Sequence, residues 1–225
     1  MNRHPPINAV IFDMDGLMFD TERIAQKVWQ QAAVEYGYIF PESTYRGVIG
    51  LKLPDVRTYI YQQFGGDFPF DQVYHRKQQL LDIYITNQGI PLKPGLTELL
   101  DKIESRAIPK AVASSSGKQI VLRNLSAAGI EAGRFEAIVG GDEVIHGKPA
   151  PDIFLEVASR LEIDHTGCMV LEDSSAGILA AHAAGMLPVM VPDMLPPEPE
   201  TRKLAYRIFP DLIAVKRELF SENGI

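Results

Sequence analysis

The run Ile7-Asn8-Ala9-Val10-Ile11-Phe12 leads straight into Asp13-Met14-Asp15-Gly16, and it constrains the fold more tightly than any other stretch. An apolar run from Ile7 to Phe12 that contains Val and Ile reads as a strand buried on both faces, the kind found in the middle of a parallel sheet. Strands of that kind deliver their C-terminal ends to ligands. Side chains at i and i+2 of a strand share a face, so Asp13 and Asp15 can address one site, with Gly16 free to turn the chain sharply just beyond them. Two carboxylates this close repel, and the site therefore calls for a cation. A calcium-binding EF-hand loop also contains Asp-x-Asp followed by Gly, but it needs flanking helices and a Glu at its twelfth position. Here a β-rich run precedes Asp13, and Glu22 falls out of register.

Three later segments repeat the pattern of a short apolar strand, or a stiff loop, that ends in polar groups. Pro109 to Ser116 ends in the hydroxyls of Ser114, Ser115 and Ser116 and runs into Gly117-Lys118 and a helical stretch to Ala128. Backbone N–H groups of such a turn, at a helix N-terminus, make an anion site, although three serines can also serve as a polar turn and helix cap. Gly147-Lys148-Pro149-Ala150-Pro151-Asp152 holds a lysine in a loop that prolines stiffen before a helix from about Asp152 to Leu161. Met169-Val170-Leu171-Glu172-Asp173-Ser174-Ser175-Ala176-Gly177 is again an apolar strand with acids at its end, followed by an Ala-rich helix. Paired carboxylates supply oxygen ligands that suit a hard divalent cation.

These four segments, in this order, resemble the four motifs of the haloacid dehalogenase-like phosphohydrolase superfamily. The resemblance implies a mechanism. Asp13 would be the nucleophile that forms an aspartyl phosphate, and Asp15 the general acid and then base. Ser114, with Ser115 and Ser116, would bind phosphate, and Lys148 would offset the gathered negative charge. It further implies Mg²⁺ held by Asp13, the backbone carbonyl of Asp15 and Asp173, with Glu172 as a further candidate ligand. The acid at Asp15 separates the chain from the dehalogenase and phosphonate-hydrolase branches of the superfamily.

Between the first two motifs the α/β alternation gives way to helices alone. Glu22 to Tyr36 places Ile24, Val28, Trp29, Ala32 and Ala33 at helical spacing, and Phe70 to Thr86 does the same with Val73, Leu80, Leu81, Tyr84 and Ile85. Shorter helices are expected around Tyr45 and from Pro54 to Phe64, with a break at Gly65-Gly66. The expected architecture is an α/β doubly wound, Rossmann-like parallel sheet formed by residues 1–20 and 91–225, with an inserted all-helical cap over residues 21–90. In the core, strands are expected at 110–114, 137–139, 169–172 and 187–191. Core helices are expected at 96–105, 119–128, 152–161, 177–184 and 211–220, with an exposed loop at Pro196 to Pro199. Arg46, Lys52 and Lys77 are the candidate substrate contacts of the cap. The resemblance extends to the subfamily of β-phosphoglucomutase and small-metabolite phosphatases. In the mutases a histidine soon after the first motif helps hold the transferring hydroxyl, whereas Ala25 stands at that place here.

Composition sets outer limits on the reading. The net charge is −7 and the pI about 5.3, with no basic run, which disfavours a nucleic-acid or anionic-membrane binder. Cys168 is the only cysteine, so no intrachain disulfide can form, and its apolar setting suggests an inert core thiol. No apolar stretch is long enough for a signal peptide or a membrane span, and a cytoplasmic location is expected. The partner is then a small phosphorylated metabolite, and a monomer is compatible with the sequence. The expected activity is a Mg²⁺-dependent phosphatase, with a phosphosugar mutase or a non-catalytic metabolite-binding protein as the alternatives.

Overall fold

The computed structural model describes residues 6–51 and 53–220. Its chain divides into two compact units, one built from Met1–Phe19 with Pro91–Ile225 and the other from Asp20–Ile90.

The larger unit is a six-stranded, wholly parallel sheet with flanking helices. In chain order its strands are β1 (Ala9–Phe12), β2 (Lys110–Ser114), β3 (Ala137–Gly140), β4 (Cys168–Glu172), β5 (Leu187–Met190) and β6 (Arg207–Ile208). Its helices are α5 (Leu96–Glu104), α6 (Lys118–Ala127), α7 (Asp152–Leu161), α8 (Ser175–Ala183), α9 (Pro199–Leu204) and α10 (Leu212–Leu219). Spatial order is β3-β2-β1-β4-β5-β6, so the winding reverses at β1 and the sheet is doubly wound. The chain builds outward from β1 on both sides, and Phe12 pairs with Val112 of β2 and with Leu171 of β4. Every residue of β1, β2 and β4 is buried, as strands covered on both faces require. On one face Ile11, Ala113, Val139 and Val170 join Ile153, Phe154 and Val157 of α7 in a continuous apolar core. Cys168 lies within it, its thiol pushed up to about 11 chiefly by burial.

The smaller unit is all-helical: α1 (Thr21–Glu35), α2 (Glu42–Arg46), α3 (Leu53–Phe64) and α4 (Phe70–Gln88). Its core is aromatic. Trp29 of α1 stacks on Phe40 with ring centres 5.3 Å apart and tilts against Phe70 and Tyr74 of α4, while Phe64 stacks on Phe68 at 4.9 Å. A cavity of about 260 Å³ lies within this unit, lined by Glu22, Trp29, Tyr45, Tyr74 and Lys77 among others.

The structure departs from the sequence expectation in three places. Strand β1 begins at Ala9 rather than Ile7, and the preceding Asn8 N–H donates to the Gly167 carbonyl at 2.8 Å. The stretch Pro196 to Pro199 is a loop only as far as Glu198, because Pro199 takes the first position of α9, where a proline loses no helical hydrogen bond. Strand β6 was not anticipated; it is two exposed residues joined to β5 through backbone pairing. No helix among the described residues is long and apolar enough to cross a membrane.

Candidate active site

The parallel sheet brings the ends of β1, β2 and β4 side by side, and the polar residues that follow them meet there. Asp13 follows β1, and its N–H donates to the Leu171 carbonyl of β4 at 3.0 Å, which fixes its height on the sheet. Lys148 arrives from the loop before α7. Its Nζ donates to Asp13 Oδ1 at 2.5 Å, to Glu172 Oε1 at 2.6 Å and to the Ala113 carbonyl at 3.2 Å. All three ammonium hydrogens are thereby engaged, and the side chain is only 5% exposed. The ring of Phe154 lies 5.0 Å from the same nitrogen, within reach of a cation–π contact.

Glu172 is fully buried, and each of its oxygens has an assigned partner. Oε1 accepts from Lys148, and Oε2 accepts from both the backbone N–H and the hydroxyl of Ser174 at 2.9 Å. Ser174 is also the N-cap of α8, its hydroxyl accepting from the Gly177 N–H at 3.0 Å. Two glycines make room for this cluster. A Cβ on Gly177 would come within 1.8 Å of Glu172 Oε1, and a Cβ on Gly16 within 2.2 Å of Asp173 Oδ2. Gly16 also has φ +83°, a backbone that side chains rarely tolerate.

Asp15 is tied to the end of β2. Ser116 Oγ donates to Asp15 Oδ2 at 3.1 Å, and the Ser116 N–H donates to Ser114 Oγ at 3.1 Å. Ser114 is buried at the end of β2, Ser116 is half-buried and Ser115 is exposed in the turn before α6. The carboxylates of Asp13, Glu172 and Asp173 each offer an oxygen within 4.8 Å of the others, a donor set that a metal ion could bridge. Asp15 is not one of these three.

Burial pushes the Asp13 carboxyl well above the ordinary carboxylate range. The Lys148 ammonium opposes that shift, and the charges of Glu172 and Asp15 add to it. Asp173 is raised in the same way, by burial first and then by the charges of Glu172 and Asp13. For Lys148, burial alone would lower the pKa, but the charges of Asp13 and Glu172 together outweigh it and hold the ammonium above its usual value. The arrangement is an overcrowded cluster of acids with one ammonium, and an added cation would favour the charged forms of Asp13 and Asp173.

The sequence-predicted residues of the core, Asp13, Asp15, Ser114, Ser115, Ser116, Lys148, Glu172 and Asp173, all fall at this end of the sheet. The cap candidates divide. Lys77 lines the cavity of the helical unit and donates to Gln78 Oε1 at 3.1 Å. Arg46 pairs with Glu42 one turn back on α2, at 2.8 Å, and Lys52 lies outside the described residues. Sequence reasoning missed the pair Lys93 and Asp193, and the role of Ser174 in holding Glu172.

Fold and site together define the class: a doubly wound, Rossmann-like α/β protein whose polar cluster sits where the sheet reverses its winding. Residues 10–191 match the family described as haloacid dehalogenase-like hydrolase, and the chain belongs to it. Among its relatives, a probable pseudouridine-5'-phosphatase of Drosophila melanogaster is 33% identical over 192 residues, 83% of this chain and 82% of that one. A phosphorylated carbohydrates phosphatase of Thermotoga maritima is 30% identical over 184 residues, covering 80% of this chain and 82% of its own. Among solved structures, a haloacid dehalogenase family hydrolase from Deinococcus radiodurans R1, with bound phosphate and sodium, is 26% identical. It superposes with a TM-score of 0.80 over 95% of each chain.

Proposed function

We propose that the protein is a Mg²⁺-dependent phosphatase of small phosphorylated metabolites, sugar phosphates first among them, acting through an aspartyl phosphate on Asp13. The observation that carries this reading is the clamp of Lys148 on Asp13 and Glu172, next to an Asp15 held by Ser116. An ammonium fixed in this way opposes the effect of burial and favours the ionised form of Asp13 needed for attack.

In the first step an Asp13 oxygen forms a bond to phosphorus while the ester P–O bond breaks, and Asp15 gives its proton to the departing alkoxide. In the second step Asp15 takes a proton from water, whose oxygen attacks phosphorus; the acyl P–O bond breaks, inorganic phosphate leaves and the Asp13 carboxylate is restored. Ser114 and the N–H groups of the turn at Ser115 to Gly117 hold the phosphoryl oxygens. The oxygen donors of Asp13 and Asp173, with the Asp15 carbonyl, suit Mg²⁺, which when bound supplies charge neutralisation to the transferring group. Glu172 holds Lys148 and stands as the less direct of the candidate ligands. The helical unit acts as a cap over residues 21–90, with Lys77 as its candidate substrate cation.

The substrate class draws support from the relatives, whose names are those of phosphatases acting on a nucleoside-type phosphate and on phosphorylated carbohydrates. Ala25, where the related mutases carry histidine, favours water over a sugar hydroxyl as acceptor. The test is a panel of phosphorylated sugars and nucleotides incubated with Mg²⁺, with free phosphate and isomerised products measured together and Asp13→Asn as control. Phosphate release that falls by about 10³-fold or more in the variant is expected, the scale of losing a catalytic nucleophile. Isomerisation with little phosphate released would make the protein a mutase, and binding without turnover in either form would make it a metabolite-binding protein.

A further inference from the structure

A second, half-buried ammonium stands at the same end of the sheet, and the mechanism above does not use it. Lys93 lies in the segment between α4 and α5. Its N–H donates to the Met18 carbonyl at 2.9 Å, and its neighbour Leu92 bridges Phe19 antiparallel, so the segment is bonded to the stretch that follows Asp15. The Lys93 side chain is 15% exposed and donates to Oδ1 of Asp193 at 2.6 Å; that carboxylate is 1% exposed. Asp193 follows β5, and the nearby Val191 N–H donates to the Glu172 carbonyl at 2.7 Å. The β5 extension therefore runs beside Glu172 and Asp173, and the charge of Asp193 is one of those that burden the Asp173 carboxyl, after burial, Glu172 and Asp13.

A buried ion pair is a poor device for stability alone, because desolvating both charges offsets most of their attraction and an apolar pair would pack as well. Its value here lies in the local charge. Asp13, Glu172 and Asp173 gather three carboxylates around the one ammonium of Lys148, so the cluster is already rich in acids. Asp193 without its ammonium would add to that excess. We propose that Lys93 and Asp193 are positioning residues of the cation site: the pair keeps the charge of Asp193 from adding to that of the acids at the C-terminal end of the sheet and ties the segment after Asp15 to the end of β5. This rests on the cation-dependent reading of the site.

The experiment is equilibrium binding of Mn²⁺ to the full chain without substrate, followed by the paramagnetic signal of the free ion, for wild type, Lys93→Met, Asp193→Asn and the double variant. Lys93→Met removes the ammonium from Asp193 and should tighten binding by about threefold or more. Asp193→Asn leaves a bare ammonium and should weaken it to a similar extent, and the double variant should return to within about twofold of wild type. A pair with a packing role alone moves both single variants in one direction or neither, and that result overturns the proposal. If one single variant does not fold, the other compared with the double variant carries the same test of sign. Wild type that binds no Mn²⁺ and releases phosphate without added metal would overturn the cation reading itself. Wild-type binding that Lys93→Met leaves unchanged would overturn only the role of the pair.

Discussion

At the scale of single residues, the geometry separates two acids that the sequence presents as equals. Glu172 and Asp173 are adjacent, yet Glu172 accepts from Lys148 and Ser174 with both oxygens, whereas Asp173 takes no part in that clamp. Lys148→Ala should lower turnover by roughly 10²- to 10³-fold, since it removes the charge that favours the ionised form of Asp13. Glu172→Gln should lower it by about tenfold, because the ammonium loses one of its two charged anchors. The two changes act on one unit, so the double variant should be no slower than Lys148→Ala alone. Turnover numbers for phosphate release across the three variants provide the check, and additive losses would mean that Glu172 acts on the cation directly.

At the scale of elements, a cluster of ion pairs joins the end of α5 to the turn before β3 and the first residue of β2. Arg134 bonds Glu104 at 2.8 Å and Asp101 at 2.6 Å, and the buried Lys110 bonds Glu104 at 3.1 Å. Glu104 is held at about 2, chiefly by its hydrogen bond from Arg134. A carboxyl whose pKa is lower in the folded chain contributes stability that is present above its unfolded value and is lost as the pH falls through its folded one. Glu104→Gln should therefore cost roughly 1 kcal/mol at pH 7, a figure kept small because the side chain is more than a third exposed. That cost should shrink steadily as the pH is lowered from about 4.5 towards 2. Urea unfolding of both proteins across that range measures it, and a cost independent of pH would contradict the assignment. Elements with strong local signals were legible in the sequence: the apolar run Lys110–Ser114 and the helix Asp152–Leu161, started by Pro151, fall where the pattern puts them. Strand β6 left no signal, because two exposed residues show no alternation and owe their conformation to backbone pairing with β5. The motif residues were legible because each sits on a strand end or stiffened loop with a local pattern. Lys93 and Asp193 were not, since they lie 100 residues apart and only the tertiary fold brings them together.

At the scale of the whole molecule, two units carry two separate cores, one aliphatic around a parallel sheet and one aromatic among helices. Trp29 is the centre of the second, buried between Phe40, Phe70 and Tyr74. Trp29→Ala should cost the helical unit about 3–5 kcal/mol, a large part of what a unit of that size can muster. Hydrogen exchange should then quicken in α1 and α4 while the amides of β1 and β4 keep their protection; equal loss in both units would show a single cooperative core. The central claim concerns chemistry at one atom, and the stereochemical course at phosphorus tests it most directly. Hydrolysis of an isotopically chiral phosphorothioate ester in heavy-oxygen water should proceed with retention, because transfer to Asp13 and then to water inverts the centre twice. Net inversion would mean that water attacks the substrate in one step, and that Asp13 is not the nucleophile.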